Sequence, residues 1–118
     1  MITVTIHRSN DSYAGFKVVG HAGYAEEGYD IICAAVSVLV VNAVNSIETF
    51  TDDKFAARED HGIVELILEG SVSDKTTLLL DSMILGLRDI QTQYGNEFIR
   101  LKIEEVDHVE DEPSGIRS

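Results

Sequence analysis

The feature that most restricts the fold is a long apolar segment, IICAAVSVLVVNAVNSIETF, which occupies residues 31–50. Its length and composition predict one helix, and Asp30 directly before it is a favourable N-cap residue. The first half is apolar nearly all round a helical wheel, whereas the second half carries polar residues on one side: Asn42, Asn45, Ser46 and Thr49. We therefore expect the first half to be buried between two layers and the second half to reach water.

Alternating apolar and polar residues predict strands on both sides of this helix. The predicted strands lie at residues 2–6, 13–20, 54–70 (two strands around a turn at 59–62) and 97–106, with another turn at 9–12. In the later strands the apolar side chains would share one face: Val64, Leu66 and Leu68, then Ile99, Leu101 and Ile103. Each of these strands would therefore present one face to the core.

A second helix is predicted over about residues 74–94, with Ser73 as its N-cap and Gly95 at its end. Its main apolar arc comprises Leu79, Leu80, Met83, Ile84, Leu87, Ile90 and Tyr94. Leu78 and Leu85 fall outside this arc. They would be covered by the chain's own loops, simply exposed, or in contact with a second copy of the chain. The element order ββα-ββ-αβ predicts an α+β fold, with two helices packed on one face of a mainly antiparallel sheet.

The charge of the chain restricts its partners. Its 21 acidic and 9 basic residues give a net charge of −12, which disfavours direct binding to nucleic acid or to an anionic membrane. A basic polypeptide would be attracted instead. We expect one domain over residues 1–106 and an acidic, flexible tail over residues 107–118.

A cytoplasmic location is expected from three observations. The single cysteine rules out an internal disulfide, which fits a reducing compartment. The first residues, MITVTIHRSN, alternate in polarity and are unlike a signal peptide. No segment reaches the roughly 18 uninterrupted apolar residues of a membrane span.

Cys33 is the strongest candidate for a catalytic residue. With Asp30 as N-cap, Cys33 would occupy the first helical turn, where the helix dipole and unpaired N–H groups favour the thiolate. His21 ends the second predicted strand, and the intervening loop could bring it beside Cys33 as the general base. Asp30 would oppose the thiolate by its charge, unless it caps the helix or orients His21.

A glycine-rich loop joins the candidate base to the candidate nucleophile. Its glycines permit hinge motion, so we expect residues 22–29 to act as a gate that orders on peptide binding. The predicted substrate-loop residues are Gly20, Ala22, Gly23, Tyr24, Gly28 and Tyr29. Ser37, one helical turn beyond Cys33, would either support the site or pack.

Simpler interpretations stay open on the residues alone. A lone cysteine among apolar residues is commonly a core residue, a histidine near a turn is commonly a surface residue, and Asp30 needs no role beyond capping. The four histidines and one cysteine show no metal-ligand spacing, so no metal or other cofactor is expected.

The segment GHAGYAEEGYDIICAAVSVL resembles the signature of the bacterial ribosomal-processing cysteine proteases. The matching positions are Gly20-His21-Ala22, Gly28, Asp30-Ile31, Cys33-Ala34 and Ser37. Residues 78–101 also resemble the second helix and last strand of that family, so the resemblance covers about residues 1–106. Tyr29 and the acidic tail depart from the family pattern without touching the dyad.

The resemblance implies an endopeptidase with a Cys33/His21 dyad. We expect Asp30 and Ser37 to support this site without breaking bonds. It also implies a homodimer, and a substrate that is the N-terminal extension of the precursor of large-subunit ribosomal protein L-twenty-seven. The alternative is a non-catalytic ribosome-associated interaction module in which Cys33 is structural.

Overall fold

The computed structural model describes residues 1–20 and 29–106, and the predicted acidic tail lies outside these ranges. Within them the elements are β1 (Ile2–Ser9), β2 (Ser12–Val19), α1 (Tyr29–Phe50), β3 (Lys54–Asp60), β4 (Ile63–Glu69), α2 (Asp74–Tyr94) and β5 (Ile99–Glu105). This order confirms the predicted ββα-ββ-αβ arrangement.

The strands form one sheet in the order β3-β4-β2-β1-β5. The pairs β1–β2, β2–β4 and β3–β4 are antiparallel, whereas β1–β5 is parallel. The parallel pair arises because α2 carries the chain back along the sheet before β5 begins. The prediction of a mainly antiparallel α+β fold is therefore confirmed.

The core lies between the sheet and the two helices. Alternate strand residues are buried there, and cross-strand pairing places them on one face: Ile2, Val4 and Ile6 of β1, Phe16 and Val18 of β2, and Val64, Leu66 and Leu68 of β4. Burying one such side chain contributes roughly 1.5–3 kcal/mol, so this layer dominates the stability of the fold. On edge strand β5 the covering of the apolar face decreases along the strand: Ile99 is buried, Leu101 is partly buried, and Ile103 is exposed.

Helix α1 is buried along one row only. Its fully covered residues include Ile32, Val36, Val40 and Ile47. Val38 is 67% exposed on the other side, so the expectation that the first half is buried all round was wrong. The reason is architectural: the sheet covers only one side of the helices.

The apolar character of α1 has a further consequence. By length and mean hydropathy alone, Ile31–Phe50 would suffice to cross a membrane. The core helix of a compact protein passes the same test, and the buried row of α1 packs in the core with the strands. Packing against the sheet therefore accounts for much of its apolar composition.

Helix α2 has the predicted ends. Ser73 is its N-cap and accepts from the Thr76 N–H, while the Gly95 N–H donates to the Gln91 carbonyl at 2.8 Å with φ of 99°. One residue of the predicted arc differs from the structure: Tyr94 is exposed because it ends the helix. Thr76, which the arc did not include because it is polar, is buried.

The two helices approach each other closely at Gly86. A Cβ built on Gly86 would lie 2.8 Å from Cδ1 of Leu39 on α1. Any larger residue there would force Leu39 to move, so the absence of a side chain sets the spacing between α1 and α2.

Asp53 stabilises the start of α2. It accepts hydrogen bonds from the Ser73 N–H and hydroxyl, both at 2.8 Å. Hydrogen bonding from Thr76 and Ser73 lowers the pKa of Asp53 from its ordinary value.

We expect Asp53→Ala to lower the free energy of unfolding by about 1 kcal/mol near neutral pH, the typical value of a helix-cap interaction. A carboxyl with a lowered folded-state pKa stabilises above its unfolded pKa, and this contribution is lost as pH falls through the folded pKa. Urea unfolding at neutral and acidic pH should therefore show a difference that shrinks in acid. Asp52→Ala, one residue earlier and exposed, is the control. An equal loss at both pH values would contradict the role of the carboxylate.

Tyr13 links the sheet to α2. Its side chain is buried, its hydroxyl donates to Asp81 Oδ1, and the Arg8 guanidinium lies 4.7 Å from its ring centre. Burial and the contact with Asp81 raise the pKa of Tyr13 to about 12.

We expect the protein to lose stability as pH rises from about 10 to about 12, because the unfolded tyrosine releases its proton first. Tyr13→Phe should remove this alkaline loss and cost about 1 kcal/mol at neutral pH through the missing hydrogen bond. Urea unfolding of both proteins across this range measures the effect. The Tyr94→Phe variant, altered at an exposed tyrosine, should behave as the parent. An alkaline loss that persists in Tyr13→Phe would assign it to other groups.

Candidate active site

The described part of the site begins at the end of β2, where the chain leaves the sheet. Gly20 has φ of 96°, its N–H donates to the Gly62 carbonyl at 3.0 Å, and a Cβ there would lie 2.5 Å from the Met1 carbonyl oxygen. Only glycine fits a position with this φ and this close approach of backbone. The chain therefore leaves the sheet towards His21 from a fixed point, between the start of β1 and the β3–β4 turn.

The start of α1 lies at the same end of the molecule. Val36 and Val40 line a small cavity together with Val18, which is two residues before Gly20. The far end of α1 connects through three residues to Lys54, which pairs with Glu69 at the opposite end of the sheet. The N-terminal half of α1 therefore packs beside the last residues of β2.

The helix starts earlier than the sequence predicted. α1 begins at Tyr29, so Asp30 is its second residue rather than its N-cap, and Tyr29 belongs to the helix rather than to the loop. An acidic residue is favourable both as a cap and within the first turn, so it marks a helix start only to within a residue or two. Cys33 is consequently the fifth residue of α1. Because helical side chains tilt towards the N-terminus, its sulfur is still directed to the first turn.

Cys33 is 8% exposed and belongs to the core cluster. It lies on the side of α1 that faces the sheet. One helical turn later, Ser37 is half-buried and lines the cavity that also contains Val18 and Glu59. Cys33 and Ser37 thus share a row on the helix.

Several predicted site residues lie outside the described residues: His21, Ala22, Gly23, Tyr24 and Gly28. The dyad, the gate and the orienting role of Asp30 therefore stay predictions. The structure does describe the end of β2, which is anchored at Gly20, and the position of Cys33 on α1.

The sequence did not indicate that the β3–β4 hairpin borders this region. Gly62 bonds to Gly20, and Glu59 and Val64 line the cavity beside Ser37. The turn of this hairpin was predicted from the sequence at 59–62. In the structure its two residues are His61 and Gly62, whose positive φ values of 45° and 82° suit a two-residue turn. Its position depends on strand order, which no local pattern encodes.

Known proteins resemble this chain in sequence. The profile of the family described as cysteine protease Prp matches residues 1–99. The ribosomal processing cysteine protease Prp of Bacillus subtilis is 34% identical over 101 residues, covering 80% of this chain and 90% of that protein. Its counterpart from Staphylococcus aureus is 32% identical over 104 residues, covering 86% and 97%.

Solved structures agree. The Staphylococcus aureus ribosomal processing protease Prp in complex with a substrate peptide superposes with a TM-score of 0.82 at 30% identity, covering 88% of this chain and all of that one. The protein SMU.848 from Streptococcus mutans gives a TM-score of 0.80 at 29% identity, covering 90% and 99%. With a profile match along most of its length, a matching fold, and a cysteine buried in the first turns of α1, this chain belongs to the Prp family of cysteine proteases.

Proposed function

We propose that this cysteine protease is an endopeptidase with Cys33 as nucleophile and His21 as general base. Its proposed substrate is the N-terminal extension of the precursor of ribosomal protein L-twenty-seven. The observation that carries the proposal is the placement of two segments. Cys33 is buried in the N-terminal half of α1, which packs beside the last residues of β2, and Gly20, directly before His21, is anchored at the end of β2.

The proposed chemistry needs only these two side chains and water. The Cys33 thiolate attacks the scissile carbonyl carbon, and N–H groups near the helix start stabilise the oxyanion. The peptide C–N bond then breaks while the His21 imidazolium gives its proton to the leaving amine. Water, deprotonated by His21, hydrolyses the thioester and restores the thiol. Asp30 and Ser37 support this arrangement without breaking bonds.

The charge of the chain supports a basic substrate. A protein with a net charge of −12 attracts a basic ribosomal-protein segment and repels nucleic acid. We propose that processing takes place in the cytoplasm, where ribosomal proteins are made, and that it requires neither a cofactor nor direct contact with RNA or membrane.

Cys33→Ala and His21→Ala should each abolish cleavage of the purified precursor, measured by mass spectrometry of the products. Because the two groups act as one unit, the double variant should be little worse than either single one. Ser46→Ala, altered at a buried polar residue farther along α1, is the control and should retain activity. Processing that survives Cys33→Ala would refute the assignment.

Thiol reactivity separates this function from the alternative of a non-catalytic module. A dyad thiol should be alkylated by iodoacetamide in mildly acidic buffer much faster than free cysteine, and His21→Ala should slow it. A purely structural Cys33 would react only after unfolding.

We also propose that the outward face of the helices forms the homodimer contact. Leu78 and Leu85 of α2 are 68% and 69% exposed, and Ile31 and Val38 of α1 are exposed as well. Such apolar residues on helices that cover a core favour association with a second apolar surface.

Replacing Leu78 and Leu85 together by Glu should convert the dimer to a monomer in sedimentation velocity, because the new carboxylates could not be desolvated at the contact. The matched control is Ile67→Glu, which changes an exposed apolar residue on the opposite face of the sheet. A dimer that survives the double replacement would place the interface elsewhere.

A further inference from the structure

Most lysines and arginines of the described residues project from the sheet face that the helices do not cover. Lys17 lies between two buried residues of β2, so its side chain is directed away from the core. Arg100 and Lys102 flank Leu101 of β5, which packs against the core, and they are directed the same way. The full set on this face comprises Lys17, Lys54, Arg58, Arg100 and Lys102.

Strand register brings three of these cations together. Thr5 of β1 pairs with Lys17 of β2 on one side and with Lys102 of β5 on the other. Arg100 pairs with Thr3, which projects from the same face of β1 as Thr5. Neighbouring strands lie about 4.8 Å apart, so the backbones of Lys17 and Lys102 are about 10 Å from each other. We call these three cations, with Thr3 and Thr5 between them, the basic patch.

The carboxylates that border the basic patch already have partners. Glu65 on β4 pairs with Arg58 at 2.8 Å. Glu104 on β5 lies 3.9 Å from Lys102 and 3.9 Å from His7. The other two cations of the patch form no ion pair among the described residues. The patch therefore keeps positive charge that the described part of the chain does not neutralise, although the net charge of the protein is −12.

The acidic segment 107–118 directly follows the strand that carries two of the patch cations. Val106 still lies at the sheet, where its N–H donates to the Arg8 carbonyl at 2.7 Å. An acidic run, Glu-Asp-Glu, occupies positions 110–112. It begins as far after Val106 as Lys102 lies before it, roughly 13 Å along an extended chain. A reversal after Val106 would therefore bring the acidic run level with the patch.

We propose that the acidic segment 107–118 folds back on its own chain and docks on the basic patch, with the carboxylates at positions 110–112 facing the three cations. The threonine hydroxyls of the patch can donate further hydrogen bonds to these carboxylates. Because the segment is tethered to β5, its effective concentration at the patch is high. Docking holds its negative charge on the face opposite the helices. The expectation of a flexible tail then holds only where salt screens the contact.

The cations outside this sheet face are less suited to receive the segment. Lys75 and Arg88 each adjoin an aspartate in the sequence of α2. The Arg8 guanidinium lies 4.7 Å from the ring centre of Tyr13. None of them belongs to a group of cations set side by side on paired strands, as in the basic patch.

A spin label in the acidic segment tests the proposal in the full chain, and the test does not depend on the proposed function. Ser114→Cys keeps every acidic residue, and Cys33→Ala makes the new cysteine the only one. A nitroxide attached at position 114 broadens the NMR signals of amides that come close to it. The amides of Thr5 and Lys17 report on the patch, and the amide of Leu85 reports on the outward face of the helices.

We expect the patch amides to lose most of their intensity and the Leu85 amide to keep it. Arg100→Gln together with Lys102→Gln should restore the patch signals, because the attraction is removed. The matched control, Lys75→Gln with Arg88→Gln, removes the same charge from α2 and should leave the broadening unchanged. About 1 M salt should also restore the signals, since the screening length falls to about 3 Å.

A second variant separates the contact from any change in β5 itself. Glu110→Gln, Asp111→Asn and Glu112→Gln together leave the sheet unaltered and should restore the patch signals to the same extent. Broadening that is equal at the patch and at the outward helix face would overturn the proposal. So would broadening that survives both the patch and the segment replacements.

Two further results would give the patch another occupant and overturn docking within one chain. The first uses a mixture of spin-labelled protein and isotope-enriched protein without the label. Broadening of the enriched copies, as strong as in the labelled sample, would place the segment on a second copy. The second result is the binding of a single-stranded RNA, measured by fluorescence anisotropy and lost in Arg100→Gln with Lys102→Gln, in a protein whose patch amides the label does not broaden. It would assign the patch to nucleic acid.

Discussion

The burial of one row of α1 against the central strands is the contact on which the rest of the molecule depends. Val36, Val40 and Ile47 are almost fully covered there, together with Phe16 and Val18 of β2. This packing fixes the rotation of the helix about its own axis. Once that rotation is set, Cys33 must face the sheet, Ser37 must face the β3 side, and Val38 must face outwards. The position of Cys33 is thus tied to the packing of the core.

A second constraint is the anchoring of Gly20. Its backbone is enclosed between the Met1 carbonyl and the Gly62 carbonyl, so three separate parts of the chain meet at the residue before His21. Core packing positions the proposed nucleophile, and backbone contacts position the point from which the proposed base departs. Both belong to the sheet and the helix packed on it.

The surface of the protein divides into regions of different character. The outward helix face carries exposed Leu78, Leu85 and Val38. The uncovered sheet face is mainly polar. On that last face Arg58 and Glu65 form a cross-strand ion pair at 2.8 Å. The division follows from the two-layer architecture, since a sheet covered on one side leaves its other side to water.

Local sequence is enough to specify the elements, because each depends on local periodicity and local capping. The strand alternation and the helix between Ser73 and Gly95 follow from neighbouring residues. The turn predicted at 59–62 includes the observed turn residues, His61 and Gly62, although positions 59 and 60 belong to β3. The motif from Gly20 to Ser37 likewise indicates a thiol protease, because residue identities and their spacing along the chain are enough to carry that resemblance. The start of α1 was missed by two residues, since Asp30 stabilises a helix from its second position as well as from its cap.

Which faces of these elements are covered depends on tertiary packing. A helical wheel that is apolar nearly all round does not show that the sheet covers only one side of α1. The exposure of Val38 was therefore not predicted. Tyr94 fits the apolar period of α2 but stands at its last residue, and it is exposed. Strand order is a long-range property, so the arrival of the β3–β4 hairpin beside Gly20 had no local signal. Periodicity shows which side of each element is apolar, whereas the elements that cover this side depend on how the whole chain packs.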